Sequence, residues 1–337
     1  MTDPTPTPGI HHVTCIASDP QENLDFWVET LGLRLVKRSI NQDDPGTYHF
    51  FFADKEGTPG TSMTFFPWAD LPQGDVGTGQ VARTAFRVPK GSLDYWEQRF
   101  EAYNVEYSDR FERVIDGPDA DRTAETVLPF RDPDGLPLEL VAVSIPGDDP
   151  TVPWTEFVPA DAAIRGFHSV TLWESDPDRT ATLLETMGLE RAGTVSAGDG
   201  GGEQRIRLSA SGPVGKHVDL VKTDERGRQG AGTVHHVAFQ TPTDDDQMAM
   251  RSAVREAGLN PTRQIDRHWF RSVYVREFGG VLFEFATSGP GYTSDEPLAG
   301  LGERLVLPGE FERRRDEIES QLADVTVPHP ETAASGE

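Results

Sequence analysis

Residues 10–33, IHHVTCIASDPQENLDFWVETLGL, change pattern once. A short β-branched run is followed by Ser-Asp-Pro, and then Leu24, Trp27, Val28 and Leu31 recur at i, i+3, i+4 and i+7. That is one apolar face of a helix. Asp19 is placed to cap it, Pro20 takes the first helical position, Glu22 stands three after the cap, and Gly32 suits the stop. The same order returns at 167–189, FHSVTLWESDPDRTATLLETMGL, with Asp176, Pro177 and Gly188 in the same parts and a helix one residue shorter. A weaker pair links QVARTAFRVP at 80–89 to TVHHVAFQTP at 233–242, each a strand leading into a helix, over 93–103 and 246–257. Strand-like runs bounded by Gly, Asp and Pro follow, among them 47–53, 62–66, 136–143, 205–209, 217–221, 272–277 and 281–286.

The pattern predicts an α+β chain of four βαβββ modules, at 9–70, 78–145, 164–224 and 231–288. By sequence order they form an N-terminal unit, 1–145, and a C-terminal unit, 164–290. The Pro- and Asp-rich stretch within 144–163 is the linker, its core being 146–163. The tail, 291–337, carries a charged amphipathic helix in LPGEFERRRDEIESQLADV, and 328–337 should be disordered. GDGGGE at 198–203 leads into a strand and has no Lys-Ser/Thr ending, so it predicts a hairpin turn instead of a phosphate loop. Asp244, Asp245 and Asp246 suit a helix N-terminus better than a calcium loop.

Composition narrows the partners. The 337 residues carry 31 basic and 56 acidic side chains, a formal net charge of −25. That excludes nucleic acid and anionic membrane surfaces, which need a positive footprint. Only five of the basic residues are Lys (37, 55, 90, 216 and 222). Dense carboxylates with little lysine suggest a protein adapted to high salt, where screening relieves the repulsion. Cys15 is the single cysteine. It leaves no intramolecular disulfide and no cysteine metal site. The N-terminus is polar, and no run of 18 apolar residues occurs. The expectation is a soluble cytoplasmic protein.

Candidate chemistry lies in two histidine pairs, His11-His12 and His235-His236, each on the opening strand of a module. Neighbours on a strand face opposite sides, so one His of each pair should face a given cavity. His12 and His236 then occupy matched positions. Glu284, in GGVLFEFAT, is a lone carboxylate in an apolar strand and needs a cation or hydrogen bonds. Two His and one carboxylate on rigid strands make a facial triad suited to Fe(II), with positions left open. The plainer alternative is a pair of core histidines and a Glu bound by Arg267, Arg271 or Arg276. One ion held by His12, His236 and Glu284 requires modules 1 and 4 to share one half-barrel and modules 2 and 3 the other. The second half-barrel should place Arg83, Ser169 and Glu139 at the three matched positions, with Arg83 neutralising Glu139.

With these residues in place, the chain resembles the vicinal oxygen chelate superfamily (glyoxalase, bleomycin resistance, extradiol dioxygenase). It is most similar to its ring-cleaving dioxygenases acting on hydroquinones. The resemblance spans about 9–325 and rests on HHVT at 11–14, LVKRSINQDDPGTYHFFFAD at 35–54, TVHHVAF at 233–239, DRHWFRSVYVREFGGVLFEFAT at 266–287, and the tail pattern from Leu307 to Leu322. It implies that His12, His236 and Glu284 bind Fe(II), with Mn(II) the alternative, and that His235 is an acid/base near the bound oxygens. It further implies that Arg267 and Tyr274 serve catalysis and, with His11 and Thr14, line the pocket of a small aromatic substrate that reacts with O2. A homo-oligomer is compatible with it. Two rival functions remain. A glyoxalase-type isomerase or lyase would use four protein ligands, whereas module 1 offers Phe65 as the counterpart of Glu284. A metal-free binding protein would have no need of the donor set.

Overall fold

The computed structural model describes residues 4–69, 71–118, 121–197 and 204–330. The turn expected at 198–203 and the end of the tail, 331–337, lie outside them. Module 1 runs β1 (Ile10–Ala17), α1 (Pro20–Leu24), β2 (Arg34–Asn41), β3 (Asp44–Ala53) and β4 (Ser62–Pro67). Module 2 runs β5 (Gln80–Pro89), α2 (Leu93–Ala102), β6 (Phe111–Asp116), β7 (Arg122–Arg131) and β8 (Pro137–Val143). Module 3 runs β9 (Phe167–Glu174), α3 (Pro177–Thr186), β10 (Glu190–Ala197), β11 (Arg205–Ser209) and β12 (His217–Lys222). Module 4 runs β13 (Thr233–Thr241), α4 (Asp244–Glu256), β14 (Ile265–Asp266), β15 (Arg271–Arg276) and β16 (Leu282–Thr287).

The helices form where the caps and apolar faces predict them. The Asp19 side chain accepts from the Glu22 N–H, and Leu24, Trp27, Val28 and Leu31 are all buried. Asp176 makes no such capping bond. Thr243 and Asp246 form a reciprocal capping box, which puts the three aspartates in the first turn of α4. Beyond Leu24 the first helix widens into a π-helix, Asp25–Thr30. This is the residue by which it exceeds the helix of module 3. A π turn takes up one insertion while the cap and the stop at Gly32 keep their places.

Strand pairing follows the arrangement that the three candidate ligands require. Modules 4 and 1 build an eight-stranded sheet in the order β14-β15-β16-β13-β1-β4-β3-β2, and modules 3 and 2 build the other, β10-β11-β12-β9-β5-β8-β7-β6. The second is a closed barrel and not a half-barrel, because β10 pairs with β6. The first stays open between β2 and β14. Side chains explain the difference. Arg207 opposes Asp219 in the second barrel just as Phe51 opposes Thr64 in the first sheet. The interior of the closed barrel is filled by Arg207 donating to Asp219 at 2.7 and 2.9 Å and to Glu125 at 2.8 Å, and by Arg113 on Glu139.

The linker 144–163 contains no helix or strand. The tail helix is much shorter than the pattern predicts: a 3₁₀ turn, Glu312–Arg314, and α5 (Arg315–Glu319). Ile318 alone in α5 is buried, against Ile40 and Leu307, so little apolar surface holds a longer helix. The tail instead lies along the edge of β2, where Val306 N–H bonds to the Arg38 carbonyl and Ser39 donates to the Val306 carbonyl. No helix among the described residues is long and apolar enough to cross a membrane.

Candidate metal centre

The register of three adjacent strands sets the site. β13 lies between β1 and β16; Ala238 opposes His12 on one side and Glu284 on the other. His236, two residues back along β13, shares their face. His12 Nε2 and His236 Nε2 are 3.3 Å apart, and they lie 3.4 and 2.8 Å from Glu284 Oε2. All three side chains are buried, Glu284 completely.

Both histidine pairs depart from simple strand alternation. The β1–β13 ladder slips between Ile10 and His12 on β1, and between His236 and Val234 on β13, so His11 and His235 are bulged residues. A bulge puts two consecutive residues opposite one and turns both side chains to one side. His11 Nδ1 therefore meets His12 Nδ1 at 2.9 Å, and His235 Nδ1 meets His236 Nδ1 at 2.8 Å. Burial, reinforced by the neighbouring imidazole, pushes His11 and His235 down to about 3. They are neutral and can accept. An inner histidine that bound a metal through Nε2 would carry its proton on Nδ1, where the outer histidine is placed to accept it and to fix the tautomer and ring plane.

Glu284 meets none of the nearby arginines. Arg271 pairs with Asp244, Arg276 bonds to the Gly280 carbonyl, and Arg267 donates to Tyr274 Oη at 3.2 Å and Asp43 at 2.9 Å. Burial works against the Glu284 carboxylate, yet the His12 and His236 imidazoles outweigh it and hold it well below the usual range. Ser272 donates to Oε1 at 2.5 Å, while the buried Oε2 has no hydrogen-bond partner. A buried carboxylate oxygen with two imidazole Nε2 atoms beside it and no aligned hydrogen bond fits a divalent cation of intermediate softness.

A cavity of about 470 Å³ opens from these three residues. Its wall includes the sequence-predicted His235, Arg267 and Tyr274, together with His49, Phe51, Phe66, Trp68, Trp269 and Phe270. His11 and Thr14 stand behind the wall. The bulge tucks His11 against Phe270, and Thr14 is spent on Thr64 at 2.8 Å, which in turn meets His49 Nε2 at 3.0 Å. His49 and Ser272 were not singled out by the sequence. His49 had the same signal as Glu284, a polar residue within an apolar strand (YHFFF).

One matched position is corrected by register. Ala238 opposes Glu284, and Thr14, its module 1 counterpart, opposes Thr64. Thr64, not Phe65, therefore stands where Glu284 does. One residue of slip flips a strand side chain to the other face, and Phe65 packs beneath Trp27. In the closed barrel, Arg83 lies 3.9 Å from Glu139, while Arg113 makes the direct bond. Burial raises Glu139, and Arg113, the largest opposing influence, brings it below its ordinary value. Arg113 comes from β6, which lies one strand beyond β7 from β8. A second group there, Glu125, His168 and His217, has donor atoms within 4.8 Å of one another. Arg207 occupies the Glu125 oxygen that His168 meets, so that carboxylate serves an ion pair.

A βαβββ quartet with two histidines and a glutamate at one sheet's centre defines a class, and comparison with known proteins agrees. The family model described as Glyoxalase/Bleomycin resistance protein/Dioxygenase superfamily matches residues 9–140 and 166–285. The chain belongs to that superfamily. It is 44% identical over 323 residues to the Bacillus subtilis protein named "Putative ring-cleaving dioxygenase MhqO", covering 95% of this chain and 97% of the relative. It is 32% identical to the "Chlorohydroquinone/hydroquinone 1,2-dioxygenase" of Sphingobium indicum, covering 97% and 99%. A crystal structure of a Bacillus subtilis protein described as a "putative dioxygenase" superposes with TM-score 0.86 at 43% identity, covering 96% of this chain and 99% of that one.

Proposed function

We propose that this protein is an Fe(II)-dependent, extradiol-type dioxygenase that opens a p-hydroquinone ring between a hydroxyl-bearing carbon and its neighbour. The observation that carries the reading is the convergence of His12 Nε2, His236 Nε2 and the unpartnered Glu284 Oε2 at the closed end of a ring-lined cavity. The hydroquinone dioxygenase relative supports the substrate class. Fe(II) held by this donor set would pass electron density between the aromatic ring and O2.

The chain's own residues do the rest. His12, His236 and Glu284 occupy one face and leave the cavity side open. Phe51, Phe66, Trp68 and Trp269 offer flat apolar surfaces that orient a ring and exclude water. Arg267, already donating to Tyr274 Oη, presents a fixed positive charge toward a phenol oxygen. Tyr274 stays protonated, since burial and Glu284 raise it further above its ordinary value. His235 is neutral and lines the cavity; with Nδ1 accepting from His236, its own proton sits on Nε2 and can be given to a bound oxygen. The isomerase reading lacks its fourth ligand, because Thr64 stands at the position matched to Glu284.

The test is anaerobic purification, Fe(II) loading and O2 uptake with methyl- or chlorohydroquinone. The expected result is about one Fe(II) per chain, one facial triad making one site. His12→Ala, His236→Ala and Glu284→Ala should each lose both iron and O2 uptake. Full uptake in any one of them removes that residue from the site, and a wild-type protein that takes no metal overturns the reading.

A further inference from the structure

We propose that Ser272 is a positioning residue that restricts Glu284 to one donor oxygen and so keeps the cavity face of the metal site open. The inference rests on the metal reading above and concerns a residue outside the ligand set. Ser272 is completely buried on β15, and Tyr274, two residues on, directly opposes Glu284 across the β15–β16 ladder. Ser272 itself opposes Ala286, so its hydroxyl reaches Glu284 diagonally and meets Oε1 at 2.5 Å. An O–H···O⁻ bond this short between buried groups is of the strong, charge-assisted kind. The other oxygen, Oε2, has no hydrogen-bond partner and faces both imidazoles. The two oxygens of one carboxylate thus have different tasks.

Arg267 Nε donates to Tyr274 Oη at 3.2 Å, and Tyr274 shares the Glu284-facing side of β15 with Ser272. Without the serine proton, Oε1 becomes a second free donor beside Oε2. A carboxylate that chelates through both oxygens takes one more position, and that position is one the phenol oxygen or O2 requires.

The experiment substitutes Co(II) for the native metal, because its visible absorption reports coordination number without turnover. Wild type and Ser272→Thr, which keeps the hydroxyl, should share one spectrum. Ser272→Ala should still bind about one Co(II) per chain with a shifted spectrum. Its Fe(II) form should lose roughly tenfold in kcat, the scale of outer-layer losses at metal sites. Ser272→Cys fills the same space with a weaker donor and carries the test if the alanine variant does not fold. An unchanged Co(II) spectrum in the folded variant overturns the proposal. So does complete loss of metal, since a carboxylate with both oxygens free still binds. Failure of the wild-type chain to take up Co(II) or Fe(II) would instead overturn the metal reading on which it stands.

Discussion

Each imidazole that faces Glu284 is braced through its other nitrogen by the histidine just before it in the chain, at 2.9 Å in one pair and 2.8 Å in the other. The braces are alike in chemistry but not in place: His235 lines the cavity, while His11 lies behind it. That separates two roles that a sequence cannot. His11→Ala and His235→Ala should each weaken metal binding about 10-fold or more, the usual effect of removing a histidine's orienting partner. Only His235→Ala should also lower turnover at saturating metal, by about 10², the scale of a lost general acid/base. Metal titration followed by O2 uptake at excess Fe(II) checks both. Equal turnover in the two variants would reduce His235 to a brace.

At the scale of elements, small irregularities place the chemistry. One bulge in β1 and one in β13 bring paired histidines to the same side, and one π turn absorbs an inserted residue without moving a cap or stop. The corner where β9 ends shows a different device. Glu174 is completely buried, and neither carboxylate oxygen has a hydrogen-bond partner. Its carboxyl lies over Gly279, in the turn between β15 and β16, where an added Cβ would fall 1.4 Å from Oε2. Burial, reinforced by Glu277, pushes Glu174 up to about 8, and burial pushes Asp132 up to about 8 as well. An unfolded carboxyl releases its proton near pH 4, and these hold theirs to about 8. Between those values the unfolded chain binds fewer protons, so stability falls as pH rises. Thermal melts should show Tm decreasing from pH 5 to pH 9. Glu174→Gln, which cannot ionise, should flatten that slope and exceed wild type at pH 9 by roughly 1–4 kcal/mol. A variant less stable than wild type at pH 9 would mean that Glu174 is ionised and held by a cation.

For the whole molecule, one repeated unit has two fates. The sheet of modules 1 and 4 stays open around aromatic rings and a cavity; the barrel of modules 2 and 3 closes over arginine–carboxylate pairs. Those pairs are buried, so salt screens them little, whereas the net charge of −25 resides mostly at the surface. Raising KCl from about 0.01 to 1 M shortens the screening length from about 30 to about 3 Å. Tm should climb steeply over that range. A flat response would leave the acid-rich, lysine-poor composition without a role in salt adaptation.

The sequence by itself determined the four modules, most strand and helix positions, and His12, His236 and Glu284 as a candidate set. Period, caps and repeats are local, and a polar residue in an apolar strand is conspicuous wherever it stands. The pairing of module 1 with module 4 also followed, from the demand that three donors meet at one ion. Tertiary structure decided what depends on register and closure. It set the two histidines of each pair ring nitrogen to ring nitrogen, put Thr64 in place of Phe65 opposite Thr14, and brought Arg113 to Glu139. It also shortened the tail helix to the one turn that buries Ile318. A strand's side chains change face with a slip of one residue, and no composition or spacing within a single strand records where its neighbour slips.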